Sequence, residues 1–385
     1  MLLLVLVSPG EALAAPLRSV PRFPIQLTAE VLGQALAFIE PRTLSPYPVR
    51  TLALWGLGGL SLLDPSLSTE VSRGKLSLSL PDRVLAIVPA PESADAAAWG
   101  RAIAIVASVA WRDSQEVRAL GPDSVIQAFF DELFNHFDPY SRYVPPAQAG
   151  PERAARAGLS GTGITLAVWN RAVLVGRVIS GSPAARAGVR AGQRLLAVDG
   201  AAVTGKALSA LTAELAGPAG SSVALTLADP RGGVRRVALV RRPVPPETVF
   251  STRDGDLLVL RISAFDAGTG PQLANEIVAG LSVANPPKGI VLDLRGNRGG
   301  LLDQAVHAAN VLLARGMIAS TAGRDPAAAH LWQAGGADLS SGLPIVVMVD
   351  GLTASAAEIL SAALADNGRA VVLGSATLGK GLVQT

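Results

Sequence analysis

The chain has 385 residues, of which 33 are Lys or Arg and 30 are Asp or Glu, so its formal net charge is +3 with histidine neutral. Charged residues make up 16% of the chain and aromatic residues 4%, which excludes a disordered polyelectrolyte and argues against nucleic-acid binding. The absence of cysteine excludes thiol catalysis, disulfides and cysteine-based metal sites. The length predicts two or three domains.

The first residues resemble an export signal. An apolar run from Leu2 to Val7 precedes an A-x-A cleavage pattern at 12–14, although the usual basic opening segment is missing. A buried first strand is the alternative interpretation. No later stretch has about 18 uninterrupted apolar residues, so we expect no membrane span. We therefore assign 1–14 to a signal-like segment and expect an exported protein, periplasmic or otherwise extracytoplasmic, with membrane association left open.

The region 15–150 is predicted to be mostly helical. Two apolar, helix-like runs each end at an Asp-Pro pair, at Asp64-Pro65 and at Asp138-Pro139, where proline stops a helix. The similarity between the two runs is weak, so an internal duplication and a chance resemblance both remain open. Residues 85–100 are rich in alanine and proline and predict a loop or linker.

Residues 157–243 have the pattern of a compact β-rich module. Short apolar strands alternate with a short helix after Pro183 and with a second helix from Leu208 to Leu215. The pair Gly232-Gly233 predicts a hairpin between two of the strands.

Residues 245–385 follow a proline-rich boundary and alternate strand and helix. This rhythm predicts a parallel or mixed sheet with crossover helices. The predicted strands are 257–262, 289–294, 343–349 and 370–373, and the predicted helices are 270–281, 301–313 and 355–366.

Two segments that follow predicted strands are candidates for chemistry. The glycine-rich turn 295–300 frees backbone amides toward a ligand, unless it is only a tight connection. Ser355 lies at a predicted helix N-terminus, where the amide of the next residue can bind an oxyanion. The alternative is an ordinary N-cap, with Glu358 completing a capping box.

A third candidate is Lys380, one of only four lysines. It lies between two glycines and close to Leu378, Leu382 and Val383. In an apolar site the neutral amine gains population and can take a proton from a serine. The alternative is a surface lysine, which is how we interpret the other three.

The three histidines do not suggest a metal site or a Ser-His-Asp triad. His136, His307 and His330 lack metal-ligand spacing and an obvious orienting carboxylate. His307 falls off the apolar stripe of its predicted helix, so we expect it to face solvent, and His330 is expected in a loop.

Together these segments resemble the carboxyl-terminal processing peptidases, or tail-specific proteases, of serine peptidase family S41. The resemblance covers roughly residues 115–385. It rests on T-A-S-A-A-E-I around Ser355, T-L-G-K-G-L-V-Q around Lys380 and D-L-R-G-N-R-G-G ending at Gly300.

The resemblance implies a multidomain α+β protein. Its parts would be an N-terminal helical region at 15–150, a PDZ domain at 157–243 and an α/β protease core at 245–385 that resembles the ClpP/crotonase-like spiral. Family members continue beyond V-Q-T with further strands, so we expect the core to be incomplete at its C-terminal end.

The resemblance also assigns roles to residues. It implies a serine endopeptidase with a Ser/Lys dyad, a backbone oxyanion hole and a PDZ carboxylate-binding loop, with weaker support for a role of Glu358. The residues are Ser355 as nucleophile, Lys380 as base, Gln384 orienting the lysine, Gly300 and Ala356 as the oxyanion hole, and Gly161, Thr162, Gly163 and Ile164 as the peptide-binding loop.

The expected partner is a protein or peptide with an exposed, apolar C-terminus. We expect no metal or organic cofactor and no nucleic acid, and we leave a homo-oligomer open. One alternative is a catalytically inactive, PDZ-containing peptide-binding relative. Another is a small-molecule amidase, whose usual Gly/Ser-rich signature with two serines is missing around Ser355.

Overall fold

The structure is a computed structural model that describes residues 22–157, 160–179, 181–230 and 232–384. The signal-like segment expected at 1–14 lies outside the described residues. The chain forms two compact units, with the boundary between Tyr143 and Val144. Within the described ranges, no helix combines the length and the apolar character that a membrane crossing requires.

The N-terminal unit is mainly helical but also contains an antiparallel sheet that the sequence did not lead us to expect. The loop or linker expected at 85–100 is confirmed only for residues 90–95 and is wrong for the rest, because a strand runs to Pro89 and a helix begins at Ala96. The elements are α1 Ile25–Ile39, α2 Val49–Leu63, β1 Ser68–Ser72, β2 Lys75–Leu80, β3 Arg83–Pro89, α3 Ala96–Asp113, α4 Gln115–Leu120 and α5 Pro122–Asn135.

Alternating apolar and polar residues explain the sheet of the N-terminal unit, and small residues explain how closely its helices pack. In β2 the alternating residues Leu76 and Leu78 are completely buried and Leu80 is partly buried, which is the pattern of a strand with one face on a core. Helices α1 and α3 approach so closely that a Cβ on Gly100 would lie 2.4 Å from the carbonyl oxygen of Ala29. Only glycine fits this contact.

The β-rich module is built on a six-stranded antiparallel sheet whose strands differ in length. Its strands are ordered β10-β9-β7-β6-β5, with β8 beside β7, so β5 lies at an edge, and α8 contacts β5. The elements are α6 Pro146–Ala157, β4 Ser160–Gly161, β5 Ile164–Trp169, β6 Ala172–Val178, α7 Pro183–Arg186, β7 Arg194–Val198, β8 Ala201–Ala202, α8 Leu208–Leu215, β9 Ser222–Ala228, β10 Val234–Val240 and β11 Arg242–Pro243.

The last part of the chain forms a five-stranded sheet ordered β12-β13-β14-β17-β18. The four strands from β13 to β18 are parallel and β12 is antiparallel to β13. The elements are β12 Val249–Asp254, β13 Leu257–Ile262, α9 Thr269–Leu281, β14 Gly289–Asp293, α10 Leu302–Leu312, β15 Gly316–Thr321, β16 His330–Ala334, β17 Ile345–Val349, α11 Ala356–Asp366 and β18 Ala370–Gly374.

The strands and helices predicted for this region are confirmed to within a few residues. Apolar runs such as Gly-Ile-Val-Leu-Asp in β14 are covered on both faces, as parallel strands usually are. The hairpin β15–β16 was not predicted, and His330 lies in β16 instead of a loop. Because β14, β17 and β18 are adjacent and parallel, the loops that follow them meet at one edge of the sheet, where α/β proteins bind ligands.

Candidate active site

Ser355 occupies a sharp turn between β17 and α11. Its backbone has φ +56° and ψ −119°, a strained conformation for a residue with a side chain. Such a strand-to-helix turn presents a nucleophile outward at the end of a sheet. The Ser355 N–H donates to Oε2 of Glu358 at 2.6 Å, which holds the turn in place.

A buried asparagine fixes the preceding glycine-rich turn to the Ser355 turn. Asn297 has no exposed surface, and its side chain donates to the Ile262 carbonyl and accepts from the Gly299 N–H, both at 2.8 Å. Its own carbonyl accepts from the Ala354 N–H at 2.9 Å. Because buried polar groups are costly unless bonded, this network strongly favours one arrangement of the two turns.

Buried Thr353 makes a second connection between the same turns. Its hydroxyl donates to the Leu294 carbonyl at 3.0 Å. The Asp350 carboxylate accepts from the N–H groups of Gly296, Leu352 and Thr353, each at 3.0 Å, and the bond from Gly296 is the largest cause of the lowered pKa of Asp350. The sequence analysis did not predict that Asn297, Thr353 and Asp350 connect the two turns. The sequence feature that could have indicated it is the presence of polar residues in turns otherwise made of small residues.

Gly299 lies directly against Ser355. Its φ is +92°, and a Cβ at this position would lie 2.7 Å from the Ser355 Cβ and 2.9 Å from the Ala356 nitrogen. Both the conformation and the contact therefore require glycine. The turn that ends at Gly300 thus lies beside the start of α11.

Two backbone amides near Ser355 have no hydrogen-bond acceptor among the described residues: those of Gly300 and Ala356. Ala356 is the first residue of α11, where an N–H has no partner within the helix. Gly300 forms an isolated β-bridge with Phe265, but the Phe265 N–H donates to the Gly299 carbonyl at 3.0 Å and the Phe265 carbonyl accepts from the Leu301 N–H at 2.6 Å. Unpaired donors at such a turn are what an oxyanion hole requires.

Lys380 lies in the irregular segment that follows β18. The lysine is half-buried, and its backbone N–H donates to Glu358 Oε2 at 3.2 Å. The expectation of an apolar enclosure is wrong for two of its neighbours, because Leu378 is 51% exposed and Val383 is 53% exposed. Gln384 is exposed, and its role in orienting the lysine stays a prediction.

Glu358 connects the Ser355 turn to the Lys380 segment. Oε1 accepts from the Thr377 hydroxyl at 2.7 Å and from the Gly379 N–H at 2.6 Å, while Oε2 accepts from the N–H groups of Ser355 and Lys380. Burial raises the pKa of Glu358, but these four hydrogen bonds outweigh it and hold the pKa below its ordinary value. The sequence predicted Glu358 as a capping residue, and the family resemblance gave it a weakly supported role; its bonds to residues 377–380 were not predicted.

The histidines of the C-terminal unit lie on exposed surface. His307 is exposed on α10, which confirms the expectation that it faces solvent, and His330 is exposed in β16. Neither forms an ion pair with a carboxylate in the part of the chain that the structure describes. A histidine-based triad therefore gains no support.

The predicted peptide-binding loop lies between β4 and β5. The Thr162 carbonyl accepts from the Ala184 N–H at 3.0 Å and the Gly163 carbonyl accepts from the Ile179 N–H at 2.9 Å, so both carbonyls face the module. The N–H groups of Thr162 and Gly163 have no acceptor within the described ranges. Free amides at the start of an edge strand suit the capture of a terminal carboxylate.

Comparison with known proteins identifies the class of both regions. A sequence model of peptidase family S41 matches residues 256–385, and a PDZ domain model matches residues 174–229. The chain thus joins a PDZ domain to an S41 peptidase region, which confirms the fold class expected from the sequence.

Named relatives make the assignment more specific. The carboxyl-terminal-processing protease of a Picosynechococcus species is 32% identical over 321 residues, covering 72% of this chain and 76% of that protein. The carboxy-terminal-processing protease of Bartonella bacilliformis is 34% identical over 278 residues, covering 71% of this chain and 64% of that protein. The chain belongs to the S41 family of carboxyl-terminal processing serine peptidases.

Two further matches extend the comparison. The carboxy-terminal processing protease CtpA of Bacillus subtilis is 32% identical over 252 residues, which is 64% of this chain and 53% of that protein. The chain therefore spans somewhat over half the length of this relative. Among solved structures, a photosystem II D1 C-terminal processing protease is 25% identical and aligns with a TM-score of 0.40 over 87% of this chain and 84% of that one.

Proposed function

We propose that this chain is a serine endopeptidase that uses Ser355 and Lys380 to cleave proteins near their C-termini. The observation that carries the proposal is the strained Ser355 turn with two unpaired amides, Gly300 and Ala356, on the loops that form it. The PDZ domain selects the substrate by its apolar C-terminal tail. The signal-like start of the chain supports export as the location of this activity.

The chemistry follows from the groups at the turn. The neutral Lys380 amine takes the proton of the Ser355 hydroxyl, and Oγ forms a bond to the carbonyl carbon of the substrate. The electron pair displaced to the carbonyl oxygen is stabilised by the N–H groups of Gly300 and Ala356. The C–N bond then breaks, the leaving amine receives the proton from Lys380, and water hydrolyses the acyl-enzyme with the same lysine as base.

Glu358 positions the dyad in this proposal. Its ionised carboxylate holds the Ser355 N–H and three donors of the 377–380 segment, so one group sets the distance between nucleophile and base. The Gln384 amide orients the Lys380 amine.

Substrate capture depends on the edge strand β5. The free amides of Thr162 and Gly163 hold the terminal carboxylate, and the tail adds to the sheet along β5. The apolar side chains that β5 and the neighbouring helix α8 turn inward, Leu166, Leu211 and Leu215, belong to the core of the module, so a tail between these two elements packs against an apolar interior. Burial of an apolar terminal side chain there is worth about 1.5–3 kcal/mol, which explains the preference for an apolar tail.

The test is cleavage of a peptide with an apolar C-terminus by wild-type and single-variant chains. We expect Ser355→Ala and Lys380→Ala each to lower kcat/KM by about a thousandfold or more, and His307→Ala to change it by less than about twofold. A serine-reactive probe should label the wild type but not Ser355→Ala. Binding of the tail without cleavage or labelling of the wild type would overturn the proposal in favour of an inactive peptide-binding relative.

A further inference from the structure

We propose that the PDZ domain has a second, cationic subsite in which Arg171 and Arg194 receive acidic side chains of the substrate just upstream of its apolar tail. The inference rests on the proposed capture of a C-terminal tail along β5. It adds a charge requirement at a different part of the same peptide, so it can fail while tail capture stands.

The direction of the bound tail follows from the position of the carboxylate-binding loop. That loop precedes Ile164, the first residue of β5, so a tail paired antiparallel to β5 has its carboxylate there. Residues upstream in the tail then run past Val168 toward the hairpin that joins β5 to β6. Because a strand rises about 3.3 Å per residue, Val168 lies opposite roughly the fifth residue from the carboxylate.

The hairpin turn itself presents a cation at this end of the groove. Trp169 pairs with Ala172, so Asn170 and Arg171 form a two-residue turn, and both have positive φ, at +49° and +62°. This is the tight turn that fits the twist of a hairpin. It fixes the backbone of Arg171 at the point where the upstream part of the tail leaves β5.

A cavity of about 140 Å³ opens beside this turn. It is lined by Val168 of β5, by Arg171, by Arg194 of β7 and by Gly205 and Lys206, just before α8. Because α8 packs beside β5 and the lining residues Gly205 and Lys206 lead into α8, the cavity lies between the β5–β6 hairpin and the start of that helix. The cavity is thus next to the path of the upstream residues.

The charge of this cavity is positive. No acidic side chain is present among the described residues that line it. Lys206 is paired with Glu214 at 2.7 Å, which neutralises that lysine. Arg171 and Arg194 are exposed and have no acidic partner in the described part of the chain, so they supply two uncompensated charges. Carboxylates pair with guanidinium groups through two parallel hydrogen bonds, which makes Glu or Asp the matching ligand.

The experiment measures the binding of two fluorescent peptides to the full chain carrying Ser355→Ala, which prevents cleavage. The peptides share one apolar C-terminus and differ only in carrying Glu or Gln at roughly the fifth to seventh residues from the carboxylate. We expect the Glu peptide to bind about threefold to tenfold more tightly at low ionic strength, and this advantage to fall as salt screens the charges.

Matched variants locate the effect. Arg171→Gln and Arg194→Gln should each reduce the advantage of the Glu peptide and leave the affinity for the Gln peptide unchanged. Arg236→Gln is the control, because Arg236 is exposed on β10, the opposite edge strand of the same sheet. It should change neither affinity.

The outcomes separate this inference from the proposed function. Equal affinities of the wild type for the two peptides would overturn the cationic subsite while tail capture stands. Loss of binding when the C-terminus of the Gln peptide is amidated supports carboxylate capture independently of the arginines. If neither peptide binds unless the terminal residues are replaced by polar ones, both the subsite and the proposed tail selection are wrong.

Discussion

The two sides of the candidate active site are built differently. The Ser355 turn is held by buried side chains, Asn297 and Thr353, and by two strands of the sheet. The Lys380 segment has no regular structure, and several of its side chains are exposed. Hydrogen bonds from this segment end on Glu358 and on the Thr353 carbonyl.

This difference means that Ser355 and Lys380 are positioned by different kinds of structure. The proposed nucleophile and oxyanion amides lie in turns at the ends of the sheet strands, where backbone strain is stabilised by surrounding contacts. The proposed base lies in a segment for which three of the four hydrogen bonds described above end on the Glu358 carboxylate. A change on the serine side should therefore damage the site by distorting it, whereas a change at Glu358 should separate its two halves.

The largest expected loss of activity comes from adding a methyl group at Gly299, beside the Ser355 turn. Gly299→Ala would bring a Cβ within 2.7 Å of both the Ala354 carbonyl oxygen and the Ser355 Cβ. We expect kcat/KM for the apolar-tailed peptide to fall about a hundredfold or more, as for loss of an oxyanion donor.

Gly296→Ala is the matched control for this change. Gly296 also has positive φ, at +74°, but a Cβ there would meet nothing within 4 Å. This variant should cost about 1 kcal/mol of unfolding free energy and keep most of the activity. Equal loss of activity in both variants would show that backbone strain, and not the contact with Ser355, is what matters.

A smaller effect is expected at the link between the two sides. Glu358→Gln replaces one acceptor oxygen by an amide group, so at least one pair of N–H or O–H donors loses its partner. Charge-assisted hydrogen bonds are worth about 1.5–3 kcal/mol, so we expect kcat to fall about tenfold to a hundredfold with KM nearly unchanged. The control is Asp366→Asn, an exposed acid on the same helix, which should leave kcat unaltered.

The pKa of Glu358 gives this prediction a pH signature. Because the folded-state pKa lies below its ordinary value, the stabilisation is complete above about pH 4.3 and is lost as the pH falls through the lowered value. The unfolding free energies of wild type and Glu358→Gln should therefore differ at pH 7 and converge in more acidic solution. A difference that stays constant to low pH would contradict the ionised link.

The smallest effect on stability and activity is expected from a change in the PDZ domain, away from both the Ser355 turn and the Lys380 segment. Arg177 on β6 of the PDZ domain forms ion pairs with Glu247 at 2.5 Å and with Glu276 of α9 at 3.3 Å. Helix α9 packs next to β12, which is the edge strand at the opposite side of the sheet from β18. Exposed ion pairs contribute about 0–1 kcal/mol, so Arg177→Gln should lower Tm by only about 1–4 °C. The rate of Ser355 labelling by a serine-reactive probe should not change. A large drop in that rate would mean that PDZ docking, and not Glu358 alone, organises the dyad.

Sequence patterns predicted the elements that local chemistry determines. Strands such as β14 and β17 are short apolar runs bounded by turn residues, and helix α11 starts at a capping serine. The sheet β1–β3 was missed although β2 alternates clearly, because its exposed face and the adjoining alanine and proline residues resembled a loop. None of the seven residues of the edge strand β3 is fully buried and four are exposed, which weakens its apolar signal.

The sequence supplied candidate residues for the site but not the bonds that connect them. The motifs around Ser355 and Lys380 predict a nucleophile and a base, and these two roles stay predictions. The bonds from Glu358 to Thr377, Gly379 and Lys380 join residues about twenty positions apart, and only the tertiary structure brings them together. The exposure of Leu378 and Val383 likewise depends on how an irregular segment packs, which no periodicity encodes.

The dependence of Lys380 on Glu358 has a consequence for the order in which activity arises during synthesis. The hydrogen bonds that hold the Ser355 turn come from Ile262, Leu294, Asn297 and Glu358, all of which precede residue 359, whereas Lys380 is made 25 residues later than Ser355. In the mechanism that we propose, a chain whose segment after β18 has not yet docked on Glu358 has the nucleophile without its base. Because a serine hydroxyl without a base is a weak nucleophile, we expect such a chain not to cleave neighbouring proteins. Peptidase activity is then expected only once the segment after β18 has docked.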